Sequence, residues 1–123
     1  MDLERNEFTG NLPESLFEIS TLRILYLRFN RFVGRIPSTY ASAPQLRDLF
    51  ISNNMLTGDI PAIMTGQFSE LNEFLLEFNM LQGTMPPSIC ELRTNGMLDD
   101  LWADCVDEID CDPGCCTRCF PET

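Results

Sequence analysis

Leu22–Pro37, LRILYLRFNRFVGRIP, returns 24 residues later as Leu46–Pro61, LRDLFISNNMLTGDIP. Both stretches read L-x-x-L-x-L-x-x-N-x-apolar-x-G-x-I-P, and agreement at so many spaced positions marks a repeat. Aligning on the asparagine extends the pattern both ways, to Asn6, Asn30, Asn54 and Asn79. The chain therefore reads as a solenoid, in which each coil contacts its neighbours and stability is a sum over few coils.

Each asparagine is preceded by two apolar residues in alternation: Met1 and Leu3, Leu25 and Leu27, Leu49 and Ile51, Phe74 and Leu76. Period two over so short a span predicts a short strand, and a constant repeat stacks these strands into one parallel sheet. After the asparagine come an apolar residue, a glycine (Gly10, Gly34, Gly58, Gly83) and an apolar-proline pair ending at Pro13, Pro37, Pro61 or Pro86. Glycine suits a tight bend, and proline is expected where the chain leaves for the convex side. Beyond it, apolar residues every third position (Leu16, Ile19, Leu22; Tyr40, Ala43, Leu46) fit a three-residue turn. The third coil carries an extra residue near Thr65-Gly66-Gln67, an insertion expected on the loop side. The asparagines themselves are expected to be structural. Their amides satisfy backbone groups at the turn and between coils, and they are not ligands.

Composition narrows the function. The net charge is −11, with eight basic residues, all arginine, and no histidine. So acidic a chain repels phosphate backbones, which argues against nucleic acid. Without histidine there is no Ser-His-Asp or Cys-His nucleophile pair and no HExxH zinc helix. No carboxylate pair is tied to a nucleophile by spacing, so no enzyme activity, catalytic residue or cofactor is expected. All six cysteines (Cys90, Cys105, Cys111, Cys115, Cys116, Cys119) lie in the C-terminal part. An even count there predicts a disulfide-stapled cap in an oxidising compartment, with adjacent Cys115 and Cys116 not bonded to each other and the pairing otherwise open. The sequence shows neither a signal peptide nor a long apolar run, and its first residues already occupy the strand half of a coil. The expectation is a fragment whose targeting segment lies elsewhere, with no membrane contact in this chain although the parent protein can be membrane-anchored.

The expected organisation is leucine-rich coils over residues 1–92, about four with the first truncated, and a cysteine-rich cap over 93–123. Leu98-x-x-Leu101-x-Ala103 is expected to be the last, narrow strand. A final coil exposes an apolar face, and an atypical end unit covers it.

At this point N-x-F/L-x-G-x-I-P with L-x-x-L-x-L resembles the plant-type extracellular leucine-rich repeat of receptor-kinase ectodomains and polygalacturonase-inhibiting proteins. The cap, Leu101-x-Ala103-Asp104-Cys105 with Cys115-Cys116-Thr117-x-Cys119, is similar to the C-terminal caps of leucine-rich-repeat proteins of stramenopile algae such as diatoms. It departs from them in Phe120 after Cys119 and in an inserted Asp112-Pro113-Gly114. The resemblance implies an α/β-type, right-handed solenoid with parallel strands on the concave face and a 3₁₀ or irregular convex side. It also implies function by binding rather than reaction.

The column between the buried positions of each strand reads Asp2, Tyr26, Phe50, Leu75 and Trp102; the next outward column reads Glu4, Arg28, Ser52, Glu77 and Asp104. An aromatic stripe rimmed by charge is what an interface hot spot looks like, so Tyr26, Arg28, Phe50, Leu75, Glu77 and Trp102 are the candidate ligand-binding residues. Cross-strand packing explains the same residues without a ligand. The expected partner is a protein, peptide or glycan. Inhibition of a secreted hydrolase is the alternative, as is a cytosolic scaffold whose cap is held by zinc on Cys111, Cys115, Cys116 and Cys119. The acid-rich stretch from Asp99 to Asp112 has no calcium-loop pattern and is expected to be a solvated acidic surface.

Overall fold

A computed structural model describes residues 1–121. The coils around Asn30, Asn54 and Asn79 each contribute two short strands, one on each side of the asparagine; the first coil contributes one strand and a single bridge at Asp2, and the cap adds the rest. In chain order they are β1 (Thr9–Gly10), β2 (Ile24–Tyr26), β3 (Arg31–Arg35), β4 (Asp48–Phe50), β5 (Met55–Asp59), β6 (Glu73–Leu75), β7 (Met80–Thr84), β8 (Asp100–Ala103), β9 (Ile109–Asp110) and β10 (Arg118–Cys119). The even-numbered strands form one parallel sheet, in the order β10-β8-β6-β4-β2, and Asp2 bridges to Tyr26 beside β2. In it Leu25, Leu49, Phe74 and Leu101 are directly in register, and all four are fully buried. The repeat seen in the sequence is thus a constant stacking of coils around one core.

Two expectations about the strands are corrected. The odd-numbered strands form a second five-stranded parallel sheet, where the sequence suggested only a bend. The glycine does not end this segment but sits within β3, β5 and β7 in the left-handed region, with φ of +80° at Gly34 and +89° at Gly83. It also makes room: a Cβ on Gly83 would stand 2.7 Å from Asp59 Oδ1 of the preceding coil. The second correction concerns the tail. β8 is not the last strand, because β10 adds to it through Thr117 N–H to Leu101 O and Phe120 N–H to Ala103 O.

On the convex side Glu14–Glu18 forms a 3₁₀ turn, as three-residue spacing predicts. The fourth coil instead makes an α-helix, α1 (Pro87–Thr94), opened by prolines whose missing N–H groups a helix start leaves unpaired anyway. The expected boundary between residues 92 and 93 falls inside α1. The insertion at Thr65–Gln67 closes a turn of its own, with Gln67 N–H donating to Met64 O and Met64 N–H to Gln67 Oε1, so β6 keeps register with β4. Tyr40, Phe68 and Phe74 pack ring against ring within the core, and Tyr40 donates its hydroxyl to Pro61 O at 2.7 Å. Burial pushes that hydroxyl far above the usual phenol range.

The asparagines do what their spacing suggests. Asn54 Nδ2 donates to Ile51 O and Ser52 O of its own coil and to Leu27 O of the preceding one, while its Oδ1 accepts Phe32 N–H. Asn30 and Asn79 repeat this pattern one coil on either side. Asn6, in the first coil, is exposed and among the described residues bonds only Leu3 O and Glu4 O of its own coil.

All six cysteines are paired, as Cys90–Cys115, Cys105–Cys119 and Cys111–Cys116. The first ties α1 to the tail and the second ties the end of β8 to β10. Asp104 was expected on a solvated acidic surface, yet it is 2 % exposed. Its carboxylate accepts Phe78 N–H at 2.9 Å and Asn79 N–H at 3.2 Å, so it closes the last repeat coil. Burial raises its pKa, and those two N–H bonds offset only part of the rise.

Candidate functional site: the concave face

Side chains at alternate positions of β2, β4, β6 and β8 face the inside of the curve in three columns. The middle column is aromatic at its start. Tyr26 and Phe50, directly opposed in register, stack with ring centroids 4.5 Å apart and planes 19° apart, and both are half-buried. Leu75, next in line, is only 4 % exposed, because it is paired with Phe50 on one side and Trp102 on the other. It is floor rather than contact surface. Trp102 is half-buried and covered in part from within the chain: Phe120 lies 5.8 Å from its ring and the Arg118 guanidinium 5.1 Å. Phe120 also meets Phe78 at 5.1 Å. The stripe expected from the sequence is therefore split. Its first half is open and its second half is roofed by the tail.

Arg28 shapes the open half. Its Nε reaches Glu4 Oε2 at 2.6 Å, and its guanidinium lies 4.9 Å from the Phe50 ring centroid. The bond to Glu4 raises its pKa against the opposing effect of burial. Phe29, held at φ +60°, is 38 % exposed with Arg5 packed 4.2 Å over its ring. A left-handed backbone is uncomfortable for so large a side chain. The same conformation recurs before each asparagine, at Arg5, Asn53 and Phe78.

Glu77, a candidate contact, is 5 % exposed and lies beneath the surface. Among the described residues its Oε1 has no hydrogen-bond partner, and neither has the buried Ser52 Oγ in the adjacent coil. Burial raises the Glu77 pKa most; its own backbone N–H and then Arg28 oppose the rise, Asp104 adds to it, and Ser52 lowers it least, without forming a bond of normal geometry. The third column, on the other side of the aromatic one, is acidic. Asp48, Glu73 and Asp100 are directly opposed, strand to strand. Burial and then the two flanking carboxylates raise Glu73; burial, followed by the charges of Asp48 and Glu73 and the interaction of its hydroxyl with the Asp48 carboxylate, raises Tyr26.

Sequence reasoning missed a second exposed apolar surface on the outer face of the odd-numbered sheet. Val33, Met55 and Met80 project there at 39–55 % exposure. Their alternation with buried Phe32, Leu56 and Leu81 is the signal that reveals it. The four cysteines at zinc-like spacing are divided among three disulfides; Sγ of Cys90, Cys111 and Cys115 lie within 4.8 Å of one another because two of those bonds adjoin. Among the described residues no three carboxylates converge on one point.

Residues 21–42 and 45–66 match the family described as Leucine Rich Repeat. The chain is built on leucine-rich repeats. Its leucine-rich repeat fold is also found in solved plant receptors. The ectodomain of the Arabidopsis thaliana membrane receptor kinase GASSHO1/SCHENGEN3, solved with CASPARIAN STRIP INTEGRITY FACTOR 2, is 34 % identical with a TM-score of 0.73 over 83 % of this chain. The Arabidopsis receptor kinase HAESA, solved with the peptide hormone IDA and the co-receptor SERK1, is 31 % identical with a TM-score of 0.71 over 80 %. A chain of the Arabidopsis thaliana BIR3–SERK2 complex is 32 % identical with a TM-score of 0.77 over 90 %. The present chain spans 12 %, 16 % and 56 % of those chains, respectively. No curated protein sequence matches it.

Proposed function

We propose that the concave face is a non-enzymatic recognition surface for a protein or peptide, working outside the cell. The observation that carries this is the open Tyr26–Phe50 stack with Arg28 across it, on the half of the concave face that the tail leaves uncovered. Aromatic rings and arginine are the residues that contribute most to binding at protein interfaces. Three disulfides agree with an oxidising compartment. The solved receptors that share this fold include one captured with CASPARIAN STRIP INTEGRITY FACTOR 2 and one with the peptide hormone IDA and a co-receptor.

Selection from a peptide-display library against the disulfide-bonded domain tests the reading, with a glycan array alongside for the other ligand class. Selected peptides are expected to lose binding to Tyr26→Ser/Phe50→Ser and keep it to Val33→Ser/Met80→Ser, whose changes lie on the outer sheet. Peptides that respond in the opposite way, or an array hit without any peptide, would overturn it.

A further inference from the structure

The recognition face carries a column of carboxylates that no basic side chain among the described residues pairs with. Asp48, Glu73 and Asp100 stand opposite one another on β4, β6 and β8, and so at strand spacing, about 4.8 Å. Like charges so placed repel and destabilise a sheet. Among the described residues none of the three has an arginine within ion-pair distance, for Arg28 serves Glu4 and Arg31 serves Glu7. Arg23 and Arg47, exposed just before β2 and β4, form no ion pair with the column. A second observation lies on the same face. Glu77, two residues past Leu75 in the column on the far side of the aromatic one, is nine-tenths buried, and among the described residues its Oε1 has no hydrogen-bond partner. Native proteins rarely leave a buried carboxylate oxygen without a donor.

The geometry points to a cationic partner: an extended peptide segment whose arginine or lysine side chains lie along Asp48, Glu73 and Asp100 while its apolar side chains cover Tyr26 and Phe50. This deepens the recognition reading and rests on it. The acidic and aromatic columns are neighbours on each strand, so one chain laid across the coils meets both. Arginine suits the junction because its planar guanidinium stacks on a ring and forks onto a carboxylate at once. Removing the mutual repulsion of the three carboxylates adds to the affinity, and added salt weakens it.

The test uses fluorescein-labelled peptides of alternating arginine and leucine, serine and leucine, or glutamate and leucine, with anisotropy as the readout. Four proteins are compared: the wild-type chain, Asp48→Asn/Glu73→Gln/Asp100→Asn, the charge-matched control Glu14→Gln/Glu18→Gln/Glu91→Gln, and Tyr26→Ser/Phe50→Ser. Circular dichroism melts establish that each is folded. The arginine peptide is expected to bind the wild type at least about tenfold tighter than the serine peptide, to lose about tenfold on the ladder variant and to lose little on the control. Equal losses on ladder and control variants would reduce the effect to net charge and overturn the inference. Equal affinity for serine and arginine peptides, abolished by Tyr26→Ser/Phe50→Ser, would overturn it while leaving the recognition surface standing. Binding of all peptides unaffected by Tyr26→Ser/Phe50→Ser would remove the surface as well.

Discussion

The repeat coils and the cap solve one problem by different chemistry. In the coils, a side-chain amide serves each turn: Asn54 gives its N–H groups to two coils and takes an N–H with its oxygen. In the cap a carboxylate, Asp104, takes two N–H groups from the coil before it, and disulfides rather than a further coil hold the far side. An amide both donates and accepts, so it can be repeated indefinitely, each coil serving the next. A carboxylate only accepts, so it ends a ladder and cannot extend it. The cap is a terminator by the chemistry of one residue as much as by its cysteines.

The largest effect that sharpens this contrast is expected at the disulfides. Cys90→Ser/Cys115→Ser, which frees α1 from the tail across 25 residues, should lower stability by about 2–4 kcal/mol in a denaturant titration. Backbone amides of β8 and β10 should then exchange faster than those of β2 and β4; uniform loss across both sheets would show the cap to be no separate unit. Next comes the ladder itself. Asn54→Ala leaves buried backbone groups on two coils without partners and should lower stability by about 1–3 kcal/mol, whereas Asn6→Ala, exposed and bonded within its own coil alone, should fall within about 0.5 kcal/mol. Equal effects would contradict the inter-coil role.

The smallest effect is a pH dependence. Glu73, Glu77 and Asp104 all have pKa values raised above their ordinary ones, so the folded state holds protons more tightly than the unfolded chain. Their contribution to stability is complete below the ordinary carboxylate range and is lost as pH rises through the raised values. Glu77→Gln, which removes an unpartnered charge, should flatten that decline in melting temperature between acidic and neutral pH. A decline as steep as the wild type's would place its origin elsewhere.

Most of the framework was legible because it is periodic. Leu25, Leu49 and Phe74 stand at a constant interval, and only one stacking of coils buries them together. The second sheet was hidden because β3, β5 and β7 are interrupted by a glycine, and their pairing is with the next coil, beyond the reach of local alternation. In the cap, β9 and β10 are two residues each, too short for any pattern. For the site, the columns were read correctly but not their depth. Nothing in the sequence shows that Phe120 folds back over Trp102, or that Leu75 is enclosed between two larger rings. The role of Asp104 was missed for a related reason: a carboxylate among many others reads as solvent-facing until its N–H partners are seen.

The most direct measurement of the central claim, that the open half of the concave face is kept for recognition rather than for holding the coils together, is thermal melting with and without the arginine-leucine peptide. The account predicts that the peptide raises the melting temperature of the wild type. It predicts that Tyr26→Ser/Phe50→Ser melts within a few degrees of wild type on its own and gains nothing from the peptide. A variant that no longer folds, or that gains as much as the wild type, would contradict it.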